Sequence, residues 1–484
     1  MIILTVALII VEFLLIVISG FVKMPEWISV FWGCVLIGDL FFLLRGTFAR
    51  STKRLLLSLS VTSIFFSIVS AYATPYWNSI IFRDMAGMAF PQSKDLDALM
   101  GPNEAREDWD FAIRQFIKVH PAILDQQKSK DSLQRVALHA GADSISVNQL
   151  YQQLQIVAAS FRDAHTRVFP VLETLRTELS SFGELCAIND VEREDFASAF
   201  GKYISSETQA WTHRSVLSAI HTYEGLKLFG CFSADSVTMS FVAPDETMVR
   251  HSLRKDDFRS ARAAAVRTLS SDKIGVYAFD DSVSCGILTL DNCYYYTPSQ
   301  RRKFNKGLRS FFQQMADRQC KRLVIDVRDN PGGNVEIVRE LFRYLPLTEY
   351  GMGERYHRYA SFMLGGKRVR RNRPFRDLCF KGEVYVLTSL STFSAAMHLA
   401  DYLQANKVAR LVGESPGNTP TCYTDMTHFV LPHSKLSLTI STGKFVRADN
   451  TCLVNVLKPD ISCVAETAYE TLKSQFQQND QSVH

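Results

Sequence analysis

At 484 residues, 47% of them apolar, the chain has material for more than one hydrophobic core, which excludes an intrinsically disordered protein. A formal net charge of +5 is mild, and the basic residues do not gather on one element, which argues against a nucleic-acid partner. Ten cysteines without a CxxC pair or zinc-ligand spacing argue against a metal site.

In chain order, residues 1–75 come first as a membrane anchor. Residues 2–21, 28–44 and 55–72 are apolar and nearly free of charge, and about 17–20 such residues suffice to cross a bilayer. Arg45, Arg50, Lys53 and Arg54 fall between the second and third segments. Basic loops stay inside, so everything after Tyr72 is expected outside the cytoplasm, on a multi-pass membrane protein. Trp27, Tyr72, Tyr76 and Trp77 stand where interfacial anchors belong, and Glu12 and Asp39 are read as polar contacts between spans.

Residues 76–166 read as a small helical layer. Trp109, Ile113, Phe116 and Ile117 recur at helical spacing, as do Leu150, Leu154 and Val157; His120-Pro121 ends the first helix and "FRDAHTRVF" the second. Residues 167–271 read as a β-rich module, with a strand, an Asn-Asp turn and a helix in "GELCAINDVEREDFASAF" and a strand pair in "SVTMSFVAPDETMVRHSL". Residues 272–470 alternate strands ("VSCGILTL", "RLVIDV", "EVYVLTS", "ARLVGES") with helix-like stretches, the pattern of a largely parallel sheet covered by helices. Residues 471–484 read as a polar tail, and Cys422 with Cys452 is a possible disulfide pair.

Chemistry in such sheets collects outside the carboxyl ends of the strands. "VIDVRDNPGG" puts two glycines there, either as a plain strand-to-helix turn or as bare backbone able to receive an oxyanion. "VLTSLSTFSAA" puts Ser394 at a helix start, either as an N-cap or as a nucleophile beside the Ala395 N–H. His165 follows Asp163 by two residues and is a general base if the fold brings it to a serine.

Taken together, "RDAHTRV", "LVIDVRDNPGG", "TSLSTFSAA", "LVGESPGNTP" and "LKPDI" resemble the serine peptidases that include the C-terminal processing (tail-specific) proteases, tricorn protease and the retinoid-binding modules of the photoreceptor matrix. The nearest branch carries a histidine motif in place of the serine-lysine dyad. The resemblance implies a ClpP/crotonase-like α/β core, a degenerate PDZ-like module, a protein or peptide substrate and no cofactor. It makes Ser394 the nucleophile and His165 its base, with the N–H groups of Gly332 or Gly333 and of Ala395 as oxyanion hole. The register of the dyad lysine falls at Thr419. Glu414 leads as the acid that orients His165, with Asp163 second. The rival reading is a catalytically silent binding or sensor protein on the same fold. Oligomeric state and substrate preference have no signature in the sequence.

Overall fold

The computed structural model describes residues 91–482, apart from 140–143, 173–174, 178, 261–273, 295–297, 335, 360 and 450–453. The three expected spans, with Glu12 and Asp39, lie outside the described residues, and so does Cys452. Among the described residues no helix is long and apolar enough to cross a membrane.

The helical layer forms where apolar spacing requires it. Helix Pro102–Val119 buries Trp109, Ile113 and Phe116 and stops at His120, whose extended backbone precedes Pro121. Helix Val147–Ala159 is opened by a Ser146/Gln149 capping box and buries Leu150, Leu154 and Val157. These side chains share one core with the small module, whose four-stranded sheet places Glu184–Ile188 and Ser236–Val242 at its centre. The helical layer and the small module are therefore packed as one body, joined also by Phe429, Leu438 and Ile440 of the next sheet.

The remaining core is mixed α/β. A six-stranded sheet runs Gly275–Asp280, Cys285–Leu290, Arg322–Asp326, Glu383–Thr388, Arg410–Gly413, Ile461–Ser462; the first pair is antiparallel and all later neighbours are parallel. Arg322–Asp326 is buried at every position, as a central strand covered on both faces must be. Helices Pro298–Asp317 and Ala395–Ala405 contribute to the core on one face, whereas Ala468, Leu472 and Phe476 cover Val324, Tyr385 and Leu387 on the other. Those last three belong to a helix, Ala468–Ser482, so the segment read as a polar tail is structural through 482. Its short apolar stripe, Ala468, Leu472 and Phe476, is set among polar residues, glutamines above all.

A second sheet was not anticipated. Phe362–Arg371, Glu349–Tyr359, Ser437–Val446 and Cys422–Val430 pair antiparallel in that order, and Arg167–Phe169 adds to Ser437–Val446 through Leu438 opposite Val168. Arg167–Phe169 thus belongs to this sheet rather than to the β-rich module where the sequence reading put it. That pairing carries the residues just before it, Asp163 to Thr166, from the helical layer to the core.

Candidate active site

Ser394 occupies the sharp corner between strand Glu383–Thr388 and helix Ala395–Ala405, with φ 52° and ψ −120°. A non-glycine residue in that region carries strain of about 1–3 kcal/mol, so its neighbours must hold it there. The Ser394 N–H donates to Asn418 Oδ1 at 2.9 Å and the Phe393 N–H to the Asn330 carbonyl at 3.0 Å. The Ser394 side chain makes no capping hydrogen bond, so the hydroxyl is not an N-cap. It faces a cleft of about 710 Å³ lined among others by His165, Trp211, Gly333, Phe393 and Met426.

The glycine turn is built around Asn330, which is fully buried. Its Nδ2 donates to the Leu290 carbonyl at 2.9 Å and its Oδ1 accepts the Gly332 N–H at 2.9 Å. Gly332 and Gly333 have φ of 101° and 137°, and a Cβ on Gly332 would stand 2.7 Å from the Phe393 carbonyl oxygen and from Ser394 Cβ. Only glycine lets the turn come this close to the serine. One sequence expectation changes here: the Gly332 N–H is already used by Asn330. Among the described residues, the N–H groups of Gly333 and Ala395 make no hydrogen bond.

His165 reaches Ser394 from the other side. The Thr439 hydroxyl donates to the His165 carbonyl at 2.8 Å, and the Ser441 N–H donates to Thr166 Oγ1 at 3.0 Å, so the turn is tied to the antiparallel sheet. His165 Nε2 lies 3.2 Å from Ser394 Oγ, and the His165 ring centre 5.2 Å from that of Phe393, which stacks on Trp211 at 4.7 Å. Neither aromatic partner has a signature in the sequence.

Asp163 sits fully buried behind the imidazole. Its Oδ1 accepts the His165 backbone N–H at 3.0 Å and stands 3.5 Å from His165 Nδ1; its Oδ2 accepts from Thr166 Oγ1 at 2.6 Å and faces His120 Nε2 at 3.1 Å. Burial alone would raise the Asp163 pKa, but the two imidazoles outweigh it and hold the carboxyl far below its usual range. For His165, burial alone would lower the pKa, and the Asp163 carboxylate, helped by Glu207 and Asp425, reverses the shift and raises it.

Glu414, expected to orient the histidine, does not meet it. Its Oε2 accepts the Leu390 N–H at 3.4 Å and its carbonyl accepts from the Thr388 hydroxyl at 2.7 Å, so it fastens the loop before Ser394 to the strand end after it. Strand pairing decides this: Arg410–Gly413 lies beside Glu383–Thr388, so the residue that follows it meets the end of that strand. Asp163, the second choice, stands at the imidazole. A further acid had no sequence signal at all: Glu207, on the loop before helix Gln209–Ala219, clusters with Asp163 and His165. Burial and the Asp163 charge push its carboxyl up to about 7, against the attraction of His165. Thr419, at the register of the dyad lysine, is buried and donates to the Thr421 carbonyl; no lysine lines the cleft among the described residues.

A strained serine at a strand-to-helix corner, a histidine within reach and bare N–H groups beside them define a serine hydrolase on a mixed α/β fold. Residues 284–463 match the family model of peptidase family S41, and the chain is a serine-type peptidase. Among solved structures, CPAF complexed with lactacystin is similar at 12% identity and a TM-score of 0.53, over 79% of this chain and 98% of that one. Mature CPAF is similar at 11% identity and a TM-score of 0.52, over 78% and 96%. The photosystem II D1 C-terminal processing protease aligns at 12% identity with a TM-score of 0.43, over 75% and 94%. At these identities the likeness to the two CPAF structures shows the fold alone. No curated protein matches by sequence.

Proposed function

We propose that the chain is a membrane-anchored serine peptidase that cleaves extracytoplasmic protein or peptide substrates through an acyl-enzyme at Ser394, with His165 as general base. The observation that carries this reading is the 3.2 Å separation of His165 Nε2 and Ser394 Oγ, contributed by elements 229 residues apart.

An extended peptide lies in the cleft between the small module and the core. Ser394 Oγ attacks the scissile carbonyl carbon as His165 Nε2 takes its proton. The carbonyl oxygen, now negative, is received by the N–H groups of Gly333 and Ala395, the second at a helix N-terminus where the backbone dipole favours negative charge. The imidazolium is stabilised by Asp163 and gives its proton to the leaving amine nitrogen. Water, deprotonated by the same Nε2, then releases the acyl group. The small module is read as a degenerate PDZ-like unit that guides the peptide by strand addition.

Full-length protein treated with a fluorophosphonate is expected to be labelled at Ser394, and both Ser394→Ala and His165→Ala are expected to abolish the label. Labelling that survives Ser394→Ala, or a folded wild type that never reacts, would sink the assignment and favour the silent binding protein. The anchor in residues 1–75 and an outward-facing soluble part predict that protease added to intact cells digests everything after Tyr72. Protection of that part would reverse the orientation.

A further inference from the structure

Among the described residues, three buried polar atoms at the back of the site lack a well-formed hydrogen bond: His165 Nδ1, which faces Asp163 Oδ1 at 3.5 Å, and both carboxylate oxygens of Glu207, toward which the N–H groups of Ala164 and Glu207 are turned. Orphaned buried polar atoms are rare in folded proteins, and three in one place call for an explanation. Glu207 is not loosely placed. Ser205, two residues before it, donates to the Asp163 carbonyl at 2.7 Å, and Thr208, next after it, accepts the Trp211 N–H at 3.1 Å and donates to the Gly417 carbonyl at 3.2 Å. The loop is fastened on both sides and holds the carboxylate against the imidazole.

One ligand atom each from Asp163, His165 and Glu207 can be chosen within 4.8 Å of the others. On His165 that atom is Nδ1, because Nε2 faces Ser394. The separation of Nδ1 from Asp163 Oδ1, 3.5 Å, is long for a hydrogen bond. It suits two ligands of one tetrahedral ion, which at metal distances of about 2.0–2.2 Å stand roughly 3.4 Å apart. The donor set, one imidazole and two carboxylates, suits zinc and its neighbours, whereas magnesium and calcium ask for about six or more oxygens.

We propose that Asp163, His165 and Glu207 form a binding site for a divalent transition metal of the zinc class, and that its occupancy silences the serine. The ion takes the Nδ1 lone pair, so the imidazole proton moves to Nε2. Nε2 then donates to Ser394 Oγ and has no lone pair with which to take the hydroxyl proton. Binding stands on the geometry alone; the silencing rests on the acyl-enzyme reading above.

The test uses full-length protein stripped with a chelator, titrated with Zn²⁺ by calorimetry and labelled in parallel with the fluorophosphonate. One equivalent is expected to bind, labelling to fall with the same midpoint, and chelator to restore it. Glu207→Gln, nearly isosteric, is expected to weaken binding about tenfold or more. Glu207→His, which returns a ligand nitrogen, is expected to recover it, with circular dichroism confirming that both variants fold. No binding by the wild type, or binding undiminished in Glu207→Gln, overturns the site. Full labelling of the zinc-saturated protein overturns the silencing. Stoichiometric, Glu207-dependent binding to a protein that never labels supports the site and overturns the hydrolase reading.

Discussion

One turn along the helix from Ser394, His398 is buried, with its ring stacked on Phe445 at 4.5 Å and its Nε2 4.0 Å from Cys422 Sγ. Among the described residues no carboxylate is hydrogen-bonded to it, and burial, reinforced by repulsion from His165 and only partly offset by Asp425, pushes its pKa down to about 3. An unfolded histidine titrates near its ordinary value of about 6.5. As pH falls below that value the unfolded chain takes up a proton that the folded chain refuses until pH is near 3. The stability His398 provides is therefore complete above about pH 6.5 and is lost between there and 3, at up to about 1.4 kcal/mol per pH unit. Urea unfolding between pH 7 and pH 4 should show a shallower decline for His398→Phe than for wild type, and equal slopes would contradict the burial argument.

At the scale of elements, two strand ends meet: the turn after Arg322–Asp326 and the corner after Glu383–Thr388, adjacent parallel strands. Asn330 links them, binding the Gly332 N–H with its side chain and the Phe393 N–H with its carbonyl. Gly332→Ala would put a methyl group 2.7 Å from the Phe393 carbonyl oxygen and 2.8 Å from the Ala395 nitrogen, at a φ of 101°. We expect the fluorophosphonate reaction to slow by about 10²–10³, the usual cost of displacing an oxyanion donor, while circular dichroism stays native. A wild-type labelling rate in Gly332→Ala would show that the turn is only a connection.

For the whole molecule, the helix Ala468–Ser482 closes one face of the central sheet. Phe476 is buried against Tyr385 with ring centres 5.1 Å apart, and Arg322 lies 4.5 Å over its ring while pairing with Asp480 at 2.5 Å. Arg322 is itself buried, so losing its neighbours would leave a charge in a poor environment. Phe476→Ala is expected to lower unfolding stability by about 3–5 kcal/mol, read from chemical denaturation. A change under about 1 kcal/mol would mean that the face tolerates a cavity. The same reasoning applies to any truncation before residue 468, which would bare Val324, Tyr385 and Leu387.

Local chemistry by itself determined a good deal of this protein. Apolar periodicity located the helices around Phe116 and Leu154, and apolar β-branched runs located four of the five parallel strands, all but the two-residue Ile461–Ser462, because burial imposes those patterns on the chain directly. Ser394, His165 and the glycine pair were legible because each needs a particular residue type at an element boundary. The tertiary structure alone decided what surrounds them. Asp163 rather than Glu414 stands at His165, Asn330 takes the Gly332 N–H, and Asn418 holds the serine corner. It also brought Glu207 to the same point and laid Arg167–Phe169 on a sheet 270 residues further along. Such neighbours are set by strand pairing across hundreds of residues, and strand pairing leaves no mark in the spacing of either partner.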